Sequence, residues 1–304
     1  MNRRDAVLLV LLGAIWGAVF PLTAVVLRDL SPPAVVLART ALSALVLIPF
    51  AVQRDVLAAL RARWAPVLVA ALLQATIPLV LLTVGQQHVP AGLAAILVAS
   101  QPVWAAVLTT ILDRCLHLRQ LAGVLIGLVG VALLFLRDLN PHDASGLGGL
   151  MLLAAAIFYA AGTVQIQRVI SDVPPLGTAT AAMTVSALAL APFAAMADLR
   201  IPDPATLGWL IALGLGATGG ALVLFYTLIH RIGAVRANLV GYLAPGFAVA
   251  YGAALLDERI TTEAIAGLVV ILAGSAIAAS GPRIHLMDRL LTVAAKHGCS
   301  RGSS

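Results

Sequence analysis

Residues 91–134 read AGLAAILVASQPVWAAVLTTILDRCLHLRQLAGVLIGLVGVALL, and residues 238–274 read NLVGYLAPGFAVAYGAALLDERITTEAIAGLVVILAG. Each stretch predicts an apolar helix with one proline, then a short charged turn, then a second apolar helix with spaced glycines. The two prolines, Pro102 and Pro245, are 143 positions apart. A period of that length indicates a duplicated half of the chain rather than a short structural repeat.

The same period marks other positions along the chain. Gly123 recurs as Gly267 and Gly130 as Gly274, each 144 positions later, and one residue inserted in a turn accounts for the difference. Further pairs, 143 positions apart, are Asp29 with Asp172, Pro32 with Pro175, Ser43 with Ser186, and Pro49 with Pro192. The duplication therefore extends into the first two predicted helices of each half.

The composition is typical of a membrane protein. Of the 304 residues, 61% are hydrophobic and 11% are charged, and the mean hydropathy is +1.03. Soluble domains carry about 25% charged residues, so this chain has too few charges to cover a surface that faces water. Its apolar runs are close to the ~20 residues that a helix needs to cross a bilayer, and they lack the alternating polarity of barrel strands. The sequence predicts an all-α integral membrane protein.

Ten transmembrane helices are predicted, with short connections between them. Because five helices per half is an odd number, the second half must enter the membrane from the opposite side, and the halves form two five-helix inverted repeats. We expect the first repeat at 1–140, the second at 141–281, and a cytoplasmic tail at 282–304. The predicted spans are 6–27, 33–51, 65–86, 91–112, 118–136, 147–170, 175–197, 206–229, 234–256 and 262–279.

The distribution of basic residues predicts the orientation. With a cytoplasmic N-terminus, 14 of the 19 Lys and Arg residues lie in cytoplasmic segments, 4 lie in outer loops, and Arg39 lies within a span. Cytoplasmic segments carry the excess of Lys and Arg in membrane proteins, so both termini are predicted to be cytoplasmic. Cys115 and Cys299 fall on the same side, where we expect free thiols.

Several of these motifs resemble a known family. Trp16 and Gly17 in the first helix, Pro33 and Arg39 in the second, and the two proline-broken helices with their charged turns are similar to the drug/metabolite transporter superfamily of the EamA type. The resemblance covers about residues 6–280 and is greatest to the bacterial aromatic amino acid exporters. It implies a ten-helix exporter of amino acids and other small metabolites in the bacterial inner membrane.

Two features depart from the pattern of that family. The first charged turn has Asp113 and Arg114 where the family often has Glu-Arg, and Trp16 is matched in the second half by Phe158 and Tyr159. Both departures bear on the substrate more than on the fold.

The prolines within the fourth and ninth spans are predicted hinges. Pro102 leaves the carbonyl of Val98 without its helical hydrogen bond, and Pro245 does the same to Gly241. Within a bilayer such a carbonyl must face protein, water or substrate. We interpret the two helices as a flexing pair that lines a cavity. The alternative is a static kink whose free carbonyl is satisfied by neighbouring helices.

Polar and aromatic residues on inward-facing helix positions are candidates for substrate binding, because polar groups that face lipid are costly. Aromatic rings with amides and hydroxyls suit a neutral or zwitterionic organic molecule. The alternative is that these groups only hold helices together. The candidates are Trp16, Phe20, Gln74, Pro78, Ser100, Gln101, Tyr159, Thr163, Thr218, Tyr226, Asn238 and Tyr242.

Arg39 is the single charge well inside a predicted span. It is interpreted either as an anchor for a substrate carboxylate or as a structural charge that locks helix packing. The resemblance favours the structural charge, since the family has an arginine here across varied substrates. All 13 acidic residues lie in loops, tails or helix ends, which favours transport that is not coupled to protons.

Other functions have weaker support in the sequence. Residues 214–219 spell G-x-G-x-x-G, but no strand precedes them, so close helix packing explains these glycines better than dinucleotide binding. We expect no enzyme activity, no metal, no cofactor and no nucleic acid, with the bilayer and a small molecule as partners. A membrane-embedded enzyme acting on lipid, a channel, and an exporter of a drug or a metabolite other than an amino acid remain as alternatives.

Overall fold

The computed structural model describes residues 2–52, 54–113, 118–137, 144–196, 202–232 and 237–279, and this part of the chain is helical. Within these ranges, seven helical segments are long and apolar enough to cross a membrane, and three shorter apolar helices occupy the remaining predicted positions. The predicted all-α membrane fold is confirmed. The predicted boundary between the repeats, the tail at 282–304, Arg114 and both cysteines lie outside the described residues.

The described helices follow the predicted order, with two spans interrupted by π-helix. The first half contains α1 Arg3–Val26, α2 Pro32–Ala51, α3 Arg54–Ala62, α4 Trp64–Ala71, π1 Leu72–Thr76, α5 Ile77–Gly85, α6 Ala91–Val98, α7 Gln101–Asp113 and α8 Leu118–Arg137. The second half contains α9 Ala144–Val169, α10 Pro175–Met196, α11 Pro204–Ile211, π2 Ala212–Gly220, α12 Ala221–Ile232, α13 Val240–Leu256 and α14 Thr262–Ala279. The third span is thus α4–π1–α5, and the eighth is α11–π2–α12.

The two π-segments differ from the continuous α-helices that the sequence predicts for these spans. Both are stabilised by a threonine hydroxyl that donates to the carbonyl five residues earlier: Thr76 to Ala71 (3.3 Å) and Thr218 to Leu213 (2.8 Å). Gln74 lies in π1, and 144 positions later Thr218 lies in π2. Widened turns of this kind occur frequently at functional sites, so the matched pair directs attention to these two side chains.

The helix packing has an internal two-fold pattern. The contact of α1 with α13 has its counterpart in the contact of α6 and α7 with α9. The contact of α2 with π2 is matched by that of α10 with α4 and π1, while α2 with α10 and α8 with α14 are their own counterparts. This correspondence is what an inverted duplication produces, so the two-repeat architecture follows from the packing as well as from the sequence period.

The helices α8 and α14 approach each other through glycines. A Cβ atom on Gly274 would lie 2.7 Å from the carbonyl oxygen of Gly123 and would also collide with the backbone of Gly127. Backbone atoms cannot rotate away as a side-chain end can, so these positions accept glycine alone. The spaced glycines of the repeated unit therefore have a packing role.

Charged groups join the two repeats at both ends of the bundle. At the end predicted to be cytoplasmic, the ion pairs among the described residues are Arg63–Asp172 (3.0 Å), Arg168–Asp113 (2.8 Å) and Arg231–Asp5 (2.7 Å). At the opposite end, the Glu258 carboxylate accepts hydrogen bonds from the backbone N–H groups of Ala91 and Gly92, which begin α6. A carboxylate is favoured there because a helix N-terminus carries unpaired N–H groups and partial positive charge.

Candidate substrate site between the two repeats

A chain of three polar side chains crosses the boundary between the repeats. Gln101 Nε2 donates to Thr163 Oγ1 (3.2 Å), and that hydroxyl lies 3.4 Å from Gln74 Oε1 and donates to the Tyr159 carbonyl at 2.9 Å. Gly162 permits the close approach, since a Cβ there would lie 2.6 Å from Gln74 Oε1. The structure thus brings together three predicted site residues, from the third, fourth and sixth spans.

A second polar contact joins α2 to π2. Arg39 Nε donates to Thr218 Oγ1 at 2.8 Å, and both residues are buried, with Arg39 only 6% exposed. Tyr159 on α9 lies close enough to Arg39 for their side chains to interact electrostatically. Thr163 of the first polar chain also donates to the Tyr159 backbone carbonyl, so Tyr159 is the residue between the two polar contacts in electrostatic terms.

Aromatic rings from the two halves of the chain contact one another on the first and eighth spans. The rings of Trp16 and Phe225 have centroids 5.0 Å apart, and those of Phe225 and Tyr226 are 5.6 Å apart. Such tilted arrangements are favoured between aromatic rings. Phe225 is absent from the predicted set, although it lies seven residues after Thr218 and so on the same helix face. That spacing is the signal that could have identified it.

The fourth span is broken where the sequence places a proline. The helix α6 ends at Val98 and α7 begins at Gln101, and the N–H groups of Val103 and Trp104 both donate to the Ser100 carbonyl, at 2.9 and 3.4 Å. The Ser100 hydroxyl donates to the Leu97 carbonyl and accepts from Trp104 Nε1. Ser100 therefore has its polar groups occupied by the break itself, and Trp104 is a contact that the sequence did not single out.

The ninth span differs from the predicted counterpart of the fourth. The helix α13 runs without interruption through Pro245, and the turn lies earlier, at Asn238 and Leu239. Asn238 is exposed in that turn, and none of the hydrogen bonds found among the described residues joins its side chain to the polar groups above. The hinge role of Pro245 thus has no helix break to support it and stays a prediction.

The remaining candidates differ in how far they are buried. Phe20, Pro78, Ser100 and Thr218 are buried, whereas Trp16, Gln74, Gln101, Tyr159, Thr163, Tyr226 and Tyr242 are half-buried. A cavity of about 210 Å³ lies elsewhere, beside Glu258 where α6, α13 and α14 meet, and none of the predicted residues lines it. The candidate site is therefore defined by its contacts between the repeats, and the cavity belongs to the capped end of α6.

Apolar spans in two inverted repeats, with polar and aromatic side chains meeting between them, are the arrangement found in many membrane transporters. The model of the EamA-like transporter family matches residues 4–136 and 146–280, and the chain belongs to this family. The resemblance to transporters of the EamA type is thereby confirmed, and the family indicates a transporter rather than an enzyme.

Proteins of similar sequence and fold agree with this assignment. The chain is 28% identical to "Uncharacterized transporter YvbV" of Bacillus subtilis (strain 168), over 89% of this chain and 90% of that protein. It is 27% identical to the "Probable amino-acid metabolite efflux pump" of Escherichia coli (strain K12), over 93% and 97%. A solved crystal structure superposes with a TM-score of 0.65 at 19% identity, covering 91% of this chain and 98% of the other, which supports the fold alone.

Proposed function

We propose that this transporter exports amino acids, aromatic or otherwise neutral, and related small metabolites by alternating access through a central cavity between its two repeats. The observation that carries the proposal is the chain Gln74–Thr163–Gln101, because Thr163 belongs to one repeat and both glutamines to the other. A site shared by inverted repeats can be opened to either side by moving one repeat against the other. The name of the Escherichia coli relative supports the solute class.

The alternatives make different demands on the molecule. An enzyme acting on lipid needs clustered acids, histidines or a nucleophile at one membrane face, and the described residues contain no group of three or more potential metal ligands. A channel needs a continuous polar stripe, whereas here the polar groups are bonded to one another in the interior. An exporter of a drug or of another metabolite would use the same site and differs only in the substrate that fits it.

A transport screen tests the proposed solute class. Purified protein in proteoliposomes is offered labelled neutral, basic and acidic amino acids, and uptake is compared with that of protein-free vesicles. We expect saturable uptake of neutral amino acids, with competition by unlabelled analogues. Saturable transport of an unrelated drug with no amino acid uptake would move the function to the alternative exporter. Since none of the described acids lies in the middle of a span, we expect flux to follow the solute gradient without a proton gradient.

Location and orientation belong to the same proposal. We place the protein in the plasma membrane, the inner membrane of a bacterium, with both termini cytoplasmic. Single cysteines are introduced at Asp143 and at Gly302, after removal of Cys115 and Cys299, and are labelled with a membrane-impermeant maleimide. The ten-span arrangement predicts opposite sides for the two positions. Labelling of both from the same side would contradict it.

Replacing Thr163 with valine is expected to weaken substrate binding by about tenfold. Valine keeps the shape of the side chain and removes the hydroxyl, which then no longer orients the Gln101 amide for the substrate. One hydrogen bond lost from the bound state is worth about 0.5–1.5 kcal/mol, and the upper end corresponds to about tenfold in affinity. The substrate concentration at half-maximal uptake measures the effect. The matched control is Thr227→Val, because the exposed Thr227 hydroxyl donates only to the Val223 carbonyl of its own helix. Equal loss in both variants would remove the polar chain from the site.

A further inference from the structure

We infer that Arg39 is the anchor for the carboxylate group of the substrate, an inference that rests on the proposed transport of amino acids. The sequence resemblance favours a structural charge at this position. Three observations in the structure favour the anchor instead: the missing counter-ion of Arg39, its free nitrogen, and its absence from the second repeat.

Arg39 lacks a counter-ion among the described residues. Its guanidinium is buried in the span α2, and its Nε donates to the neutral Thr218 hydroxyl rather than to a carboxylate. The ion pairs of the described residues lie at the end of the bundle and use other arginines. Burying a cation without a partner is strongly unfavourable for the folded protein. An anionic group of a bound ligand would supply the missing partner and offset this cost.

The guanidinium also has an unused donor. Arg39 Nη1 is buried and has no hydrogen-bond partner in the described part of the chain. An arginine whose role is to lock helices together would place its donors on backbone carbonyls. A free, buried donor beside a cationic centre is suited to one oxygen of a carboxylate, which binds guanidinium groups with short, charge-assisted hydrogen bonds.

The duplication supplies the third observation. The position 143 residues after Arg39 is Ala182, which is 4% exposed and packs in an apolar cluster formed by residues of both repeats. By contrast, the aromatic Trp16 has its counterpart in Tyr159 at the same period. The corresponding position of α10 therefore packs without an arginine. One cation, on α2 alone, is enough to bind the single carboxylate of a small substrate. The first repeat therefore contributes a charged residue to the site, and both repeats contribute aromatic residues.

The inference predicts which part of the substrate Arg39 recognises. A bound amino acid would place its carboxylate at Arg39, held between α2 and π2 because Thr218 fixes the guanidinium from the opposite repeat. Its side chain would then lie toward Tyr159 and the other half-buried rings. Amino acid amides, which lack the carboxylate charge, would lose the contact with Arg39 and keep the contacts of the side chain.

The test compares each acid with its uncharged amide. Uptake of labelled L-phenylalanine and of labelled L-leucine is measured in proteoliposomes that contain wild type or Arg39→Gln, with the unlabelled acids, L-phenylalaninamide and L-leucinamide as competitors. Wild type is expected to prefer the acids by about tenfold or more, since hydrogen bonds between charged groups have that effect. In Arg39→Gln the preference is expected to fall to about one, and Arg39→Lys is expected to keep part of it.

The outcomes separate this inference from the proposed function. If wild type transports the acids but prefers them no more than the amides, Arg39 is not an anchor, although the transporter is still an amino acid exporter. The same conclusion follows if Arg39→Gln weakens acid and amide equally, because a structural arginine acts on both alike. If wild type takes up neither labelled acid, the proposed transport of aromatic and other neutral amino acids fails. The wild-type comparison stands even if the variants do not fold.

Discussion

Replacing Gly274 with leucine is expected to leave little folded protein in the membrane. A side chain at this position would meet the carbonyl oxygen of Gly123 at 2.7 Å and the backbone of Gly127, and neither can move without separating α8 from α14. Overpacking of a core costs about 1–3 kcal/mol when side chains can yield, and more when backbone must shift. Native proteins have only about 5–15 kcal/mol of stability, so the loss is a large fraction of the total.

The matched control is Gly208→Leu. Gly208 is an exposed helical glycine, and a Cβ added there would have no neighbouring atom within 4 Å, so leucine introduces no clash. Thermal unfolding of the purified variants, together with their yield in the membrane fraction, measures the difference. We expect a lower midpoint or no monodisperse protein for Gly274→Leu, and a midpoint close to wild type for Gly208→Leu. A wild-type midpoint for both would contradict the packing of α8 against α14.

Replacing Pro102 with alanine is expected to lower the maximal transport rate by about fivefold. Alanine restores an N–H that can bond to the Val98 carbonyl, which favours joining α6 and α7 into one helix across the break at Ala99 and Ser100. One regained hydrogen bond stabilises the straight form by about 1 kcal/mol, which corresponds to a factor of about five in rate. Substrate affinity should change little, because the site is present in both forms.

The variant Pro245→Ala provides the comparison. Because α13 is already continuous through Pro245, alanine there changes the path of the helix less, and we expect a smaller effect on rate. Initial rates over a range of substrate concentrations separate the maximal rate from the affinity. If the two variants instead lose affinity at an unchanged maximal rate, the prolines shape the cavity and do not act in switching. If Pro102→Ala transports like wild type, the break in the fourth span has no part in the mechanism.

The span order could be predicted from the sequence because both of its signals are local. Runs of apolar residues mark each span, and the repeated prolines and glycines mark the duplication. The break in the fourth span was predictable for the same reason, since Pro102 removes a hydrogen bond within its own helix. The packing role of Gly123 and Gly274 likewise follows from their spacing and their recurrence.

What the sequence could not predict depends on partners far along the chain. Arg39 and Thr218 are 179 positions apart, and their bond is seen only once α2 lies against π2. The π-turn itself, in which the Thr218 hydroxyl reaches the Leu213 carbonyl, leaves no mark in the spacing of apolar residues. The ninth span does not repeat the break of the fourth. Its helix is continuous through Pro245, and the turn forms at Asn238.

Solute counterflow in proteoliposomes tests the central claim most directly. Vesicles containing the protein are loaded with a high concentration of an unlabelled neutral amino acid and diluted into buffer with a trace of the labelled form. Alternating access by one shared site predicts a transient accumulation of label above its external concentration, which an excess of outside competitor abolishes. Label that only equilibrates across the membrane, without this overshoot, would contradict a carrier and indicate a channel.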